Sequence, residues 1–211
     1  CIRDRDEKEH MIAMYKKVLF YTALLIFPVM ILMALLARPF VGILLTDKWL
    51  PCVPMLQILC IAKMLYPLLI VNMNILNVIG RPDLYMKIEL SKVPMVLVIL
   101  AVTIPMGIEA IVIGNLVTTF ISFFLNAYYP GKLFGYGAWN QIKDYKMLIL
   151  SLLLMIGGVE IVLNLFDNAW CQLLCGGMVG MGVYIVSCFI LEPKLRTTKL
   201  FSLVINKYHI K

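Results

Sequence analysis

Residues 18–37 form an unbroken run of twenty residues without a charge, and comparable runs recur five more times down the chain. They lie at about 53–79, 93–106, 108–129, 147–166 and 171–191. A helix needs roughly 20 residues, at about 1.5 Å each, to cross ~30 Å of hydrocarbon. All but the 93–106 run reach that length, and the amphipathic stretch 83–92 is expected to extend that run as one helix. In lipid every backbone N–H and C=O must find an internal partner, and the alternating pattern of a membrane barrel is absent, so the runs are helices. The fold class is all-α: a polytopic membrane protein with six transmembrane helices. Composition agrees, since 62% of residues are hydrophobic and only 15% charged, against about a quarter charged in soluble domains.

The net charge of +7 does not indicate nucleic acid, because the cations sit in short clusters between apolar runs rather than on one face. Their distribution sets an orientation instead. Sixteen lie before span one, between spans two and three, between spans four and five, and after span six. Only Arg38 and Lys48 occupy the opposite connections. By the positive-inside rule the basic side is cytoplasmic and both ends lie there. Residues 1–17 then form a cytoplasmic connecting segment, and 192–211 a basic amphipathic tail suited to an anionic inner surface. The far-side stretch 38–51 carries a small apolar piece, 40–45, expected in the interface, with Trp49 as an anchor. Gly107 leaves almost no loop between spans three and four, which predicts a tight hairpin. The chain begins on Cys1 within a charged stretch and shows no signal peptide, so the expectation is the carboxy-terminal part of a longer protein.

The six cysteines (Cys1, Cys52, Cys60, Cys171, Cys175 and Cys188) make no CxxC pair and have no nearby histidine. Neither a disulfide framework nor a metal site is expected, and nothing calls for a cofactor. No catalytic constellation is present: His10 and His209 lie in the tails.

Charge inside a span is the strongest functional signal. Lys63 lies near the middle of span two, where a cation costs ~2.5–3.5 kcal/mol or more. Lys63, Pro67, Ile70, Asn74, Asn77 and Arg81 fall within about 40° of one direction on a helical wheel, with Tyr66 beside them. This ribbon is polar and cationic, and Pro67 frees a backbone carbonyl. In span four Asn115, Thr119, Ser122 and Asn126 follow the same spacing, with Thr118 adjacent. Both ribbons suit a hydrated cavity for a polar, anionic group, and Asn, Ser and Thr are also common glue between membrane helices. Glu160, with Asn164 one turn on, is the second intramembrane charge: an ion site, or a side chain reaching the interface. Gly176 and Gly180 form a small-xxx-small seam expected to pack helices closely.

Residues 38–59 (RPFVGILLTDKWLPCVPMLQIL) and 72–90 (NMNILNVIGRPDLYMKIEL) resemble the carboxy-terminal half of bacterial Wzx-type polysaccharide and O-antigen flippases (lipopolysaccharide biosynthesis proteins). These belong to the multidrug/oligosaccharidyl-lipid/polysaccharide exporter superfamily. Pro28 in the first span and PMGIEAIVIG at 105–114 agree with the pattern, which covers roughly residues 1–130. The resemblance implies a two-lobe, MATE-like transporter of twelve to fourteen helices, whose missing amino-terminal half would complete it. The implied location is the cell inner membrane, and the implied activity is flipping of lipid-linked oligosaccharide by alternating access. The implied partners are undecaprenyl-diphosphate-linked oligosaccharide as substrate and the lipid bilayer. For such a substrate the Lys63 ribbon suits the diphosphate, and Asn, Ser and Thr suit sugar hydroxyls. The alternatives are a cation-coupled multidrug antiporter of the same superfamily and, in another class, a membrane-embedded polysaccharide polymerase or acyltransferase.

Overall fold

The computed structural model describes residues 2–191, with side chains from residue 9 onward. Six helical stretches, the second made of consecutive shorter helices, are long and apolar enough to cross a membrane, and among the described residues there is no strand. The chain is a multi-pass, all-α membrane protein.

Helix α1 (Ile2–Leu35) runs without interruption from the basic segment through the first apolar run. Its length of about 50 Å exceeds the hydrocarbon thickness, so its beginning projects beyond the core on the basic side. A short helix α2 (Ala37–Leu45) and a 3-10 turn (Asp47–Cys52) follow, with Trp49 exposed. The second span is not one helix. It breaks at Leu65 into α3 (Val53–Met64) and α4 (Tyr66–Val78), because Pro67 has no N–H for the Lys63 carbonyl and its ring crowds that turn. Third comes α5 (Pro82–Thr103), which starts at Pro82 with Asp83 in its first turn, both favourable at a helix N-terminus. That early start supplies the length that residues 93–106 lack. Gly107 then turns the chain at φ 100°, a conformation closed to side chains with a Cβ. Helix α6 (Ile108–Phe134) leads straight back against α5. It passes the expected end at 129 and stops at Gly135, in the left-handed conformation. A short helix α7 (Ala138–Asp144) precedes α8 (Lys146–Leu165) and α9 (Ala169–Leu191). The expected tail at 192–211 lies outside the described residues.

The helices stack in sequence across the bundle. α5 lies on α6, α6 on α3 and α4, these on α1, and α1 on the α8–α9 pair. Sequence spacing explains which faces meet. On α1, Tyr15, Leu19, Ala23 and Phe27 recur every fourth residue; on α8, Leu148, Leu152, Met155 and Val159 do nearly the same; all eight are buried in one core cluster. Lipid tails are as apolar as these side chains, so close van der Waals packing, rather than escape from water, holds such helices together. The glycine seam of α9 shows how close. A Cβ at Gly180 would stand 2.7 Å from Val159 Cγ2 and 2.8 Å from Leu32 Cδ1, and one at Gly176 would stand 2.9 Å from Leu36 Cδ2.

Polar side chains close gaps that the helices leave in their own backbones. Pro28 denies the Leu24 carbonyl its usual helical donor, and the Tyr184 hydroxyl of α9 donates to that oxygen instead, at 2.9 Å. Gln57 of α3 donates to the Ala34 carbonyl at the end of α1, at 3.0 Å. Gln172 of α9 donates to Phe166 and Leu163 carbonyls at the end of α8, at 2.6 and 3.2 Å.

Candidate functional site

Asn126 fixes the register of α6 on α4: its Nδ2 donates to the Leu69 carbonyl at 3.2 Å. Gly114 fixes α6 on α5, since a Cβ there would meet Ile99 and Thr103 methyl groups at 2.9 Å. Spans two and four therefore run parallel and pack directly on each other, and span three runs antiparallel along α6. The result is a groove of about 370 Å³ among α3, α4, α5 and α6. Along α6 it extends from Asn115 to Asn126, eleven residues, or roughly 16 Å.

Seven of the residues singled out from the sequence line this groove: Lys63, Tyr66, Asn74, Asn115, Thr119, Ser122 and Asn126. Ile70 and Thr118, noted beside them, line it too. The two helical ribbons thus face each other across one cavity. Asn77 and Arg81 do not join them. Asn77 is exposed one turn beyond the last lining residue of α4. Arg81 sits in the turn after α4, where its guanidinium binds both carboxylate oxygens of Asp83 at 2.9 and 3.1 Å. Arg81 lies past the point where α4 ends, and Asn77, still on the helix, lies past the end of the groove. Glu160 also lies elsewhere: it is exposed on α8, and its backbone carbonyl accepts a hydrogen bond from Asn164 Nδ2 at 2.9 Å. Among the described residues no cluster of His, Cys, Asp and Glu could hold a metal ion.

Lys63 is the eleventh residue of α3, about 16 Å into it. Its ammonium stands 5.2 Å from the centre of the Tyr66 ring, a cation–π contact. No carboxylate among the described residues forms an ion pair with it. Lys63 is exposed, and the groove and the tyrosine face are its polar surroundings among the described residues.

A third wall comes from α5, which contributes Tyr85, Glu89 and Lys92. Lys92, the last residue of the amphipathic extension 83–92, lies on α5 within the third span. Its Nζ meets Glu89 Oε1 at 2.7 Å, one turn away on the same helix. The lysine side chain is 14% exposed and the glutamate 45%. Of the three charges lining the groove, Lys92 and Glu89 neutralise each other and Lys63 supplies the net positive charge. The signal for this wall was present in the alternation of 83–92, with Tyr85, Glu89 and Lys92 at helical spacing. The same three residues read equally well as a solvated approach to the span.

Sequence reasoning also missed a polar knot at the basic end of the bundle. Tyr15, Asn72 and Gln141 come from α1, α4 and α7 and are all buried. The Tyr15 hydroxyl donates to Asn72 Oδ1 at 2.5 Å, and Gln141 Nε2 donates to the same oxygen at 2.9 Å. Asn72 Nδ2 donates in return to Gln141 Oε1 at 3.2 Å. Beside this knot Tyr136 donates to Asp144 Oδ2 at 2.6 Å and lies under the Lys16 ammonium. Burial, then the Asp144 carboxylate, hold the Tyr136 phenol above its ordinary pKa, so it remains a donor.

Residues 3–54 match the model of a family described as "Polysaccharide biosynthesis protein". The chain is also similar to an uncharacterized membrane protein of Methanocaldococcus jannaschii, at 29% identity over 197 residues. That alignment covers 93% of this chain and 36% of the relative, so the chain spans about a third of the length of the protein it matches. No solved structure matches.

Proposed function

We propose that this chain is part of a transporter that flips lipid-linked oligosaccharide across the plasma (inner) membrane by alternating access. Lys63 is the observation that carries this reading: a cation in mid-span, without an ion-pair partner among the described residues, on the wall of a polar groove. Holding a charge there costs several kcal/mol in contact with lipid, ~2.5–3.5 by insertion scales. Water in the groove, the Tyr66 face and an anionic cargo together offset that cost. A diphosphate fits best, because charge-assisted hydrogen bonds from an ammonium strengthen as water is excluded. The lipid tail of such a cargo stays in the bilayer while its polar head crosses through the groove. The family matched by residues 3–54 gives this reading its glycan context, and the basic side, with both ends of the chain, is then cytoplasmic.

Catalysis has no support in the groove: it holds no histidine, cysteine or aspartate, and its glutamate is paired with Lys92. An antiporter driven by Na⁺ or H⁺ needs a carboxylate in its pathway. Glu160 lies away from the groove, and Glu89 is committed to a neighbouring cation. The cationic balance favours an anion as cargo.

The test is Lys63→Ala in the full-length protein, followed by surface glycan in cells lacking the native copy. Loss of glycan at normal protein level is expected. Undiminished glycan would remove Lys63 from the pathway.

A further inference from the structure

Three side chains of the α6 wall have hydrogens committed to backbone carbonyls, while Asn115 and Ser122 of the same wall keep theirs. Thr118 and Thr119 donate their hydroxyls to the Gly114 and Asn115 carbonyls of their own helix, each at 2.8 Å. Asn126 donates to the Leu69 carbonyl. The two threonine hydroxyls still offer oxygen with free lone pairs, and Asn126 offers its Oδ1 beside one remaining amide hydrogen. Asn126 is the sharpest case. It is 2% exposed, yet its Oδ1 has no hydrogen-bond partner among the described residues. Native proteins rarely leave a buried acceptor in that state, because desolvating it without compensation is costly. Pro130, four residues on, has no N–H to give the Asn126 backbone carbonyl. Two oxygens of one residue thus lack the donors they would usually have.

The lysines lie on the other walls. Lys63 on α3 carries three N–H donors, and Lys92 on α5 has two beyond the one facing Glu89. A ligand in this groove meets positive charge and donors from α3 and α5, and acceptors at Thr118, Thr119 and Asn126 of α6. An anionic oxygen is attracted to the first and repelled by the second. A hydroxyl or amide N–H behaves in the opposite way.

We propose that Asn126, with Thr118 and Thr119, is the specificity-determining wall of the site. It accepts hydrogen bonds from hydroxyl or amide N–H groups of the sugar joined to the diphosphate, while Lys63 holds the phosphates. This inference rests on the transport reading above and adds an orientation to it, with the first sugar turned toward α6. A sugar rich in donors near its phosphate is the class selected.

Two probes of equal charge separate the inference from its premise: a farnesyl diphosphate carrying N-acetylglucosamine, and the same diphosphate capped with methyl. Affinities are measured on the full-length protein in nanodiscs. The sugar probe is expected to bind about tenfold tighter, the worth of one or two hydrogen bonds in a desolvated site. Asn126→Leu should remove that preference by weakening the sugar probe alone. Thr119→Val, nearly isosteric and safe for folding, should reduce it several-fold. Lys63→Met should weaken both probes alike. If the wild-type protein binds both probes equally, or if both α6 variants leave the ratio unchanged, the inference is overturned and the transport reading stands. Binding of neither probe overturns both.

Discussion

Asn72 and Gln141 offer the most quantitative check on the bundle, because everything they touch is visible. Both are fully buried, and they exchange hydrogen bonds at 2.9 and 3.2 Å between α4 and α7. Asn72 also takes the Tyr15 hydroxyl of α1 at 2.5 Å. Replacing Asn72 with Leu leaves the Tyr15 hydroxyl and the Gln141 amide without their main partners in a dry site. Each stranded group costs ~1–3 kcal/mol, so the single variant is expected to lose about 2–5 kcal/mol. The remaining 3.4 Å contact between Gln141 Nε2 and the Tyr15 oxygen favours the lower half of that range. Gln141→Leu strands only Asn72, whose bond to Tyr15 survives, for a loss of ~1–3 kcal/mol. With both changed, one stranded group remains rather than three. The double variant should therefore fall short of the sum by the worth of two stranded groups, at least about 2 kcal/mol. The assay is equilibrium unfolding of the purified protein in mixed micelles, with tryptophan fluorescence as the signal. Additive losses would refute the reasoning, since they would mean that the two amides do not share one network holding α7 to α4.

Three further outcomes follow from the packing and the proposed topology. Gly180→Ala drives a methyl group into Val159 and Leu32 and should destabilise by ~1–3 kcal/mol. Gly182→Ala, with nothing within 4 Å of the new atom, should be neutral or slightly stabilising in the same unfolding assay. Tyr184→Phe removes the donor that satisfies the Leu24 carbonyl and should cost ~0.5–1.5 kcal/mol; in a Pro28→Ala background, where the helix supplies its own N–H, it should cost less. An impermeant maleimide added to intact cells should label Cys52 from outside and spare a cysteine placed at Lys143; the reverse pattern would invert the proposed topology.

The six spans were legible because length, apolar character and the flanking lysines all depend on the bilayer alone. Facing ribbons were legible for a related reason: helical periodicity places Lys63, Tyr66 and Asn74 on one side of their span, and Thr119, Ser122 and Asn126 on one side of theirs. Periodicity says nothing about where a helix or a cavity stops: Arg81 falls beyond the end of α4, and Asn77 falls beyond the end of the groove. Nor does it say which third helix closes a cavity. The α5 wall depends on the tight turn at Gly107, which lays α5 along α6; the helical extension 83–92 is legible, but not which cavity its Lys92 faces. Gln141 was least legible of all. It lies in a polar connection between spans, and its burial depends on two residues 69 and 126 positions away.

Water access at Lys63 tests the central claim most directly. In a cysteine-free full-length protein, Lys63→Cys should react with the hydrophilic anion methanethiosulfonate ethylsulfonate. It should do so at a rate close to that of Asn74→Cys and far above that of Leu97→Cys on the exposed apolar face of α5. A Lys63→Cys variant as inert as Leu97→Cys would place the position against lipid, and a cationic pathway through this groove would not exist.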